Sequence, residues 1–313
     1  MTETRSLRVA FLGNDAWSVP SLGALARSQH LIVGVLTAEP KPAGRGNELT
    51  PTPVALEAAR LGLPLIETST VKTGSGFKDL SMTAPDVLAV VAYGEILPPN
   101  VLHLPSVAPV NLHFSVLPLL RGAAPVQTAL LAGMDRTGVS TIVMDRGMDT
   151  GPIILQREEA ILPQDDAGSL GARLAELGAD VLLRSIDMLA AGPVAPQTQD
   201  PTLATFAPKF GPQDRVLDWA NPAALLVNLV RALSPEPAAT TTFRGEGLKV
   251  FKAEAVDAQG DQGTIVDVSK HGFVVATAEG GFRLLVLAPA GRRVMDAADF
   301  VNGHHPEVGE RVG

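Results

Sequence analysis

Three polar residues alternate along one short segment of the chain. Asn111, His113 and Ser115 are separated by apolar residues, and the segment ends at Pro118. Successive side chains of a strand point to opposite faces, so an extended segment places the amide, the imidazole and the hydroxyl on one face. An isolated histidine is more often an ordinary core or surface residue, but an amide and a hydroxyl on the same face make His113 the central candidate for a functional residue. We therefore take this segment as the candidate catalytic segment.

A single carboxylate stands in a glycine-flanked turn further along the chain. Asp149 lies between Gly147 and Gly151, after the apolar run of residues 140–144. A carboxylate close to His113 would orient its ring and favour the imidazolium form. An ordinary turn is the alternative for an Asp-Thr-Gly sequence. Aspartic proteases also contain this tripeptide, but they need two such carboxylates and this chain offers one.

Two further groups of residues are weaker candidates for a binding site. Arg45 lies between Gly44 and Gly46 in a loop rich in proline and glycine, where an arginine can approach a phosphate closely. A mobile surface loop is an equally good interpretation of that sequence. His304 and His305 lack a third ligand at a sensible spacing, so we expect no metal site there.

The elements that must position these residues follow an α/β pattern. Continuous runs of Val, Leu, Ile and Ala alternate with helical spacings, which is typical of strands buried on both faces of a mostly parallel, Rossmann-like sheet. Ligands bind at the carboxyl ends of such strands, and His113 follows one of them. The predicted strands are residues 7–12, 31–36, 63–66, 87–92, 107–112 and 140–144, and the predicted helices are residues 18–28, 54–61 and 168–190.

The last third of the chain has a different pattern. Residues 191–208 contain four prolines and no helical period, so we expect an interdomain linker. A helix is expected over residues 221–233, capped by Asn221. About five short runs rich in β-branched residues follow, which predicts a smaller OB-like β-barrel, that is, of the oligonucleotide-binding type. The expected domains are residues 1–190 and 209–313, joined by that linker.

Composition excludes several classes of function. The 313 residues include no cysteine, so disulfides, thiolate nucleophiles and thiolate metal sites are excluded, and a cytoplasmic location is expected. No apolar run is long enough to cross a bilayer, and no signal peptide is recognised. The net charge of −8 means that any nucleic-acid contact must use local basic positions. Only one glycine follows the first strand and no phosphate-binding GKS/T loop occurs, so no nucleotide cofactor is expected.

The run NLHFSVLPLLRGAAPVQ and the later MDRGMDTGPI resemble the formyltransferases that use 10-formyltetrahydrofolate. The resemblance covers essentially the whole chain. Other segments that carry it are PAGRG at residues 42–46, VAYGEILP at residues 91–98, LAELGAD at residues 174–180 and LAPAGRRVM at residues 287–295. Within that family the chain is similar to the branch that acts on methionyl-tRNA.

The resemblance implies a role for particular residues. It implies a catalytic trio of Asn111, His113 and Asp149. The folate-contacting residues that it implies are Ser115, Val116, Leu117 and Pro118, with Val91, Tyr93 and Leu97 in the wall of the pterin pocket. The residues that it places against the acceptor end of tRNA are Lys41, Gly44 and Arg45, and the C-terminal barrel would hold the rest of the tRNA.

The activity that the resemblance implies is formyl transfer from 10-formyltetrahydrofolate to the α-amino group of initiator methionyl-tRNA, by a monomer without metal. The chain departs from the family at Leu120, where many members carry an aromatic residue, and at Asn47 and Glu48, where basic residues are common. A formyltransferase of the same family that acts on an amino-sugar nucleotide is one alternative. A non-catalytic RNA-binding protein with an oligonucleotide-type barrel is another.

Overall fold

The computed structural model describes residues 5–43 and 48–313, and the chain divides into two compact units. Unit 1 comprises residues up to Pro125, Thr137–Ala160 and Gly171–Ala207. Unit 2 comprises Val126–Arg136, Ile161–Leu170 and Pro208–Gly313. Each unit has its own sheet, so the two are described separately.

Unit 1 is built on a seven-stranded sheet. The first nine strands of the chain are β1 (Arg8–Gly13), β2 (Leu31–Thr37), β3 (Lys41–Ala43), β4 (Glu48–Thr50), β5 (Leu65–Glu67), β6 (Val87–Val91), β7 (Ala108–His113), β8 (Arg136–Val143) and β9 (Ile153–Ala160). Their order across the sheet is β5-β2-β1-β6-β7-β8-β9, while β3 and β4 pair separately. The first five strands in this order are parallel, and β8 is antiparallel to β7. The predicted α/β class with a mostly parallel sheet is confirmed.

The strand order reverses its direction within the parallel region. Taken in chain order, the five parallel strands lie as 3-2-1-4-5, so the direction of sheet building reverses between β1 and β6. Ligands in sheets of this kind bind outside the carboxyl ends of the strands at this reversal. The carboxyl end of β7, with His113, is one strand away from it.

The helices of the first two thirds of the chain are α1 (Val19–Ala26), α2 (Pro53–Leu61), α3 (Gly74–Met82), α4 (Pro99–Leu102), α5 (Pro125–Leu131) and α6 (Ala167–Ala191). Helix α2 shows why they begin and end where they do. The Thr52 hydroxyl accepts a hydrogen bond from the Ala55 N–H at 3.0 Å, and Pro53 occupies the first helical position. Gly62 ends the helix with a φ of 66°, a conformation that glycine adopts at little cost.

Helix α6 approaches the loop after β1 very closely. A Cβ added at Gly171 would lie 2.1 Å from the Trp17 indole ring, so no other residue fits there without a shift. The Trp17 ring in turn packs against Phe114, with ring centroids 5.6 Å apart. Phe114 follows His113 directly, so this contact supports the end of β7 from the side.

Unit 2 contains an antiparallel sheet. Its strands and helices are α7 (Ala223–Leu233), β10 (Ala239–Phe243), β11 (Glu246–Val256), β12 (Ile265–Ser269), β13 (Gly272–Ala276), β14 (Gly281–Pro289), β15 (Met295–Asp296) and α8 (Ala297–His304). The strand order is β10-β11-β14-β13-β12, with β15 beside β14. Two C-terminal residues pair with the two outer strands of this sheet. Val312 pairs with Phe243 of β10, and Arg311 pairs with Thr264, which directly precedes β12.

The structure differs from the sequence expectations at several positions. Helix α7 begins at Ala223 with Pro222 as its N-terminal cap, while the Asn221 side chain donates to the Asp218 carbonyl instead of capping the helix. Strand β9 was not anticipated. The expected linker is bonded to unit 1 over part of its length, since Gln197 exchanges two 2.8 Å hydrogen bonds with Ile153. Within the described ranges, no helix has the length and apolar character needed to traverse a bilayer.

Candidate active site

Asn111, His113 and Asp149 meet at the carboxyl end of β7. The Asn111 Nδ2 atom lies 3.5 Å from Oδ1 of Asp149. The His113 Nδ1 atom lies 3.6 Å from the other carboxylate oxygen of Asp149. His113 is buried and Asn111 is half-buried. The three residue types that the sequence suggested for one site are therefore within reach of one another.

The Asp149 carboxylate is held by the backbone around it. Asp149 adopts a φ of 56°, which is uncommon for a residue with a side chain. The Gly122 N–H donates to Oδ2 of Asp149 at 2.9 Å. In the same turn, Asp145 Oδ1 accepts from the Gly147 N–H at 2.9 Å and from the Thr150 hydroxyl at 2.6 Å. The turn therefore fixes the direction of the Asp149 side chain.

The hydrogen bonds of His113 define which ring nitrogen carries a proton. The Nε2 atom lies 2.9 Å from the Leu120 carbonyl oxygen. A carbonyl only accepts hydrogen bonds, so Nε2 must carry the proton. The other ring nitrogen, Nδ1, faces Asp149 at a distance longer than a normal hydrogen bond. Nδ1 is thus an open acceptor in the neutral ring and an open donor in the imidazolium.

The loop after β7 is fixed by hydrogen bonds from β8 and β9. The Ser140 hydroxyl donates to the Ser115 carbonyl at 2.6 Å and accepts from the Leu117 N–H at 3.0 Å. The Gln156 amide donates to the Leu117 carbonyl at 2.7 Å. The Ser115 hydroxyl donates to the Leu119 carbonyl at 2.6 Å, so it is directed into its own loop. Of the expected folate residues here, Leu117 is buried, and Val116 and Pro118 are half-buried.

The residues expected in the pterin wall follow β6. Val91 is fully buried at the end of that strand, and Tyr93 and Leu97 belong to the apolar cluster on this side of the sheet. Burial raises the pKa of Tyr93 well above its ordinary value, so its phenol is neutral at all ordinary pH values. The Asn14 amide donates to the Tyr93 carbonyl and accepts from the Ala38 N–H at 2.8 Å. The segments after β1, β2 and β6 are thereby joined.

The expected tRNA-contacting residues are described in part. Lys41 is exposed and pairs with Thr50 across β3 and β4. Gly44 and Arg45 lie outside the described residues. Among the residues that are described, no group of three His, Asp or Glu side chains gathers as a metal site would require.

A buried Arg–Gln pair beside the site was not expected from the sequence. Nε and Nη2 of Arg121 donate to Oε1 of Gln199 at 3.1 and 2.6 Å. Nε2 of Gln199 donates to the carbonyl oxygens of Asp149 and Gly151 at 2.8 and 2.7 Å. The Leu120 carbonyl, which holds His113, was missed as well. Backbone carbonyls are common to all residues, so the sequence carries no signal for such contacts.

Comparison with known proteins identifies the family to which this chain belongs. The family model described as formyl transferase matches residues 7–186, and the model of the formyl transferase C-terminal domain matches residues 209–305. The chain belongs to the formyl transferase family. Its full-length relatives are methionyl-tRNA formyltransferases: that of Acidithiobacillus ferrooxidans is 42% identical over 99% of this chain and 100% of its own length. That of Solibacter usitatus is 38% identical over 98% of this chain and 99% of its own.

Solved structures share the fold at low sequence identity. HypX from Aquifex aeolicus, in complex with tetrahydrofolic acid, matches 98% of this chain with a TM-score of 0.67 and 16% identity; this chain spans about half of it, 49%. The N-formyltransferase from Helicobacter canadensis, in complex with folinic acid and dTDP-3-aminofucose, matches 89% of this chain and 98% of its own, with a TM-score of 0.64 and 16% identity. Methionyl-tRNA formyltransferase from Clostridium thermocellum matches 79% of this chain and 93% of its own, with a TM-score of 0.56 and 16% identity.

Proposed function

We propose that this protein transfers the formyl group of 10-formyltetrahydrofolate to the α-amino group of methionyl-tRNA, giving N-formylmethionyl-tRNA for translation initiation. The assembly of Asn111, His113 and Asp149 carries the proposal, because this site lies in a chain that matches methionyl-tRNA formyltransferases over their full length. The site contains donors for an oxyanion and a group that accepts a proton, and this reaction needs both.

Asn111 and His113 stabilise the charge that develops on the formyl oxygen. When the amine adds to the formyl carbon, the carbonyl oxygen becomes an oxyanion. One amide hydrogen of Asn111 is directed at Asp149, and the second is available to that oxygen. The protonated ring of His113 supplies a second donor through Nδ1, since Nε2 is bonded to the Leu120 carbonyl.

Asp149 stabilises the His113 imidazolium and transfers the proton. The α-amino group of a model compound has a pKa of about 7.7–8.0, so it loses a proton readily once its nitrogen bonds to the formyl carbon. The Asp149 carboxylate accepts that proton beside Nδ1 of His113. The proton then moves to the folate nitrogen as its bond to the formyl carbon breaks. The reaction therefore balances without a covalent enzyme intermediate.

The folate is assigned to the carboxyl ends of the strands. We place it against Ser115, Val116, Leu117 and Pro118, with Val91, Tyr93 and Leu97 as the apolar wall. The hydrogen bonds of Ser140 and Gln156 support this assignment, because they hold the loop backbone in a fixed position before a ligand arrives. The fold is shared with HypX, whose structure contains tetrahydrofolic acid.

The tRNA is assigned to unit 2 and to the loop that contains Lys41, Gly44 and Arg45. We propose that the antiparallel sheet of unit 2 closes as an OB-like barrel. The pairing of Val312 with Phe243 and of Arg311 with Thr264 supports closure. Arg45→Ala is expected to raise KM for methionyl-tRNA and to make that KM less sensitive to salt, because one phosphate contact is lost, while folate affinity stays unchanged. Impaired folate affinity with an unchanged KM for tRNA would show that the loop belongs to the folate site and not to the tRNA site.

An amino-sugar nucleotide is the second candidate acceptor, because the Helicobacter canadensis enzyme bound to dTDP-3-aminofucose shares this fold. The test is a formylation assay of the purified protein with 10-formyltetrahydrofolate and one of three acceptors: methionyl-tRNA, a dTDP-amino sugar, or none. We expect formyl transfer to methionyl-tRNA alone. Transfer to the sugar only, or hydrolysis at the same rate without acceptor, would overturn the proposed function.

A further inference from the structure

Residues 197–207 form a segment, here called the strap, that contacts both turns of the candidate site. We infer that Gln199 and Thr205 of the strap are positioning residues for formyl transfer. Gln199 acts through Asp149, and Thr205 acts through His113. The inference rests on the proposed function for the identity of the reaction, and on the hydrogen bonds of unit 1 for the roles of the two residues.

Gln199 holds the turn that presents Asp149. Its side chain is 6% exposed, and its amide nitrogen bonds to the carbonyls on both sides of Thr150, those of Asp149 and Gly151. Its amide oxygen accepts two hydrogen bonds from the buried Arg121 guanidinium. Asp149 has a φ of 56°, and such conformations persist where the surroundings enforce them. The two hydrogen bonds from Gln199 hold the turn in this conformation.

Thr205 holds the peptide that binds the His113 ring. The Leu120 N–H donates to the Thr205 hydroxyl oxygen at 2.8 Å, and the next N–H, that of Arg121, donates to the Thr205 carbonyl at 2.9 Å. Leu120 has a φ of 57°, and its carbonyl accepts from Nε2 of His113 at 2.9 Å. The orientation of this carbonyl determines the tautomer of His113. The Thr205 hydroxyl acts on that orientation by holding the N–H of Leu120 and thereby its φ of 57°.

The two ends of the strap are fastened to unit 1. Gln197 pairs with Ile153, and Ala207 bonds to the backbone of Arg121 and Ala124 at 2.8 and 3.1 Å. Gly122 allows this approach, because it has a φ of 127° and a Cβ there would lie 2.6 Å from the Ala207 carbonyl oxygen. The strap is thus an ordered part of the site, and a shift of about 1 Å in it would misplace both reacting side chains.

Space filling alone does not account for these two residues. Gln199 satisfies four hydrogen bonds in a buried position, and a leucine of similar size would fill the same volume without them. A buried polar network of this kind is costly to leave unsatisfied and rigidifies the groups that it joins. If Gln199 positions Asp149, its replacement by leucine lowers turnover only while the Asp149 carboxylate is present. If Gln199 only fills space, the replacement does not lower turnover.

The first experiment is a double-mutant cycle on the single-turnover rate of formyl transfer by the full-length protein. Gln199→Leu is expected to lower the rate about 10- to 100-fold, with KM for the folate changed less than about threefold. In an Asp149→Asn background the same substitution should cost less than about threefold, because its target is already lost. Gln164→Leu is the matched control, since Gln164 is exposed, and it should have no effect.

The second experiment measures the tautomer of the His113 ring by NMR and does not depend on enzyme activity. In substrate-free protein labelled with ¹⁵N-histidine and kept at a pH at which the ring is neutral, the parent should show His113 as the Nε2–H tautomer; the imidazolium acts only during the reaction. Thr205→Val should produce a mixture of tautomers, and Thr205→Ser, which keeps the hydroxyl, should restore the parent spectrum. The His113 signal is assigned from its absence in His113→Ala.

Two results would overturn the inference: equal rate losses for Gln199→Leu in both backgrounds, or an unchanged His113 tautomer in Thr205→Val. Failure of the proposed function looks different. In that case the parent protein itself forms no formylmethionyl-tRNA, while the tautomer measurement still reports whether Thr205 positions His113.

Discussion

The site of unit 1 and the core of unit 2 use their buried space in different ways. Around the site, the buried polar side chains of His113, Ser115, Arg121 and Gln199 all make hydrogen bonds. In unit 2, the centre of the core is a cluster of aromatic rings, with the Phe300 ring 5.5 and 5.7 Å from the rings of its two phenylalanine neighbours. Directional bonds fix the reacting groups in unit 1, whereas shape and volume maintain unit 2.

The two units should therefore respond differently to substitution. Removing a buried ring from unit 2 should cost stability and leave the chemistry intact. Removing the Asn111 side chain from the site should cost rate and leave stability nearly intact, because that side chain makes one long contact.

Phe273→Ala is expected to lower the free energy of unfolding by about 3–5 kcal/mol, because the ring is fully buried and its loss leaves a cavity. The measurement is urea unfolding followed by fluorescence, together with the rate of formyl transfer at saturating substrates below the unfolding transition. Val308→Ala, at an exposed position of the same unit, is the control. A loss below about 1 kcal/mol would contradict a packed core at this ring.

Asn111→Ala is expected to lower the single-turnover rate about 10²–10³-fold, equivalent to about 2.7–4 kcal/mol, because one donor to the formyl oxygen is lost. The free energy of unfolding should change by less than about 1 kcal/mol, since Asn111 makes one long side-chain contact. Rates within a few-fold of the parent would remove Asn111 from the mechanism.

Asp86 lies at the opposite edge of the same sheet and tests whether every buried polar group of unit 1 serves catalysis. The Asp86 carboxylate accepts a hydrogen bond from the Arg8 N–H at 2.9 Å and another from the Ser106 hydroxyl at 2.6 Å. These two bonds lower the pKa of Asp86. The stabilisation is complete above the unfolded pKa of about 3.9 and is lost as the pH falls through the lowered folded pKa.

Asp86→Asn should therefore cost about 1–2 kcal/mol of stability at pH 7 and progressively less below about pH 4. Formyl transfer at pH 7 should be unchanged. The check is urea unfolding of parent and variant across this pH range. A constant difference in stability at all pH values would show that the carboxylate charge is not involved.

Glu254→Gln should have the smallest effect. Its carboxylate pairs with Arg283 at 2.7 Å on the surface of unit 2, where the glutamate side chain is 48% exposed. Surface pairs contribute less than about 1 kcal/mol, and salt screens them. Unfolding at low and high salt checks this, and a salt-independent loss above about 1 kcal/mol would contradict it.

The sequence was sufficient to predict the mostly parallel sheet and to place Asn111 and His113 at the end of one of its strands. Short β-branched apolar runs such as residues 87–91 are typical of strands buried on both faces of a sheet, and Asn111 and His113 interrupt such a run at its carboxyl end. The distance of Asp149 to these residues required the structure, because a turn of that sequence occurs in many settings. The sequence also supported a β-rich second unit through its short β-branched runs, but not the order of its strands.

The contacts of the strap were beyond the reach of the sequence. Gln199 and Thr205 act on backbone groups of Asp149, Gly151 and Leu120, and backbone groups are the same at every position. Their segment is rich in proline, which is equally typical of a linker. Asn221 shows a related limit, because a residue suited to capping a helix bonds elsewhere when a proline nearby takes the cap position.

The close packing of Gly171 against Trp17 has a consequence for engineering. Replacing glycine by alanine inside a helix is a routine way to raise thermal stability, since it favours the helical backbone. At Gly171 the new methyl group would have to displace the indole that supports Phe114 beside His113. A stabilisation programme that ranks helix positions by propensity alone would therefore choose Gly171 early. The substitution would lower turnover without raising thermal stability.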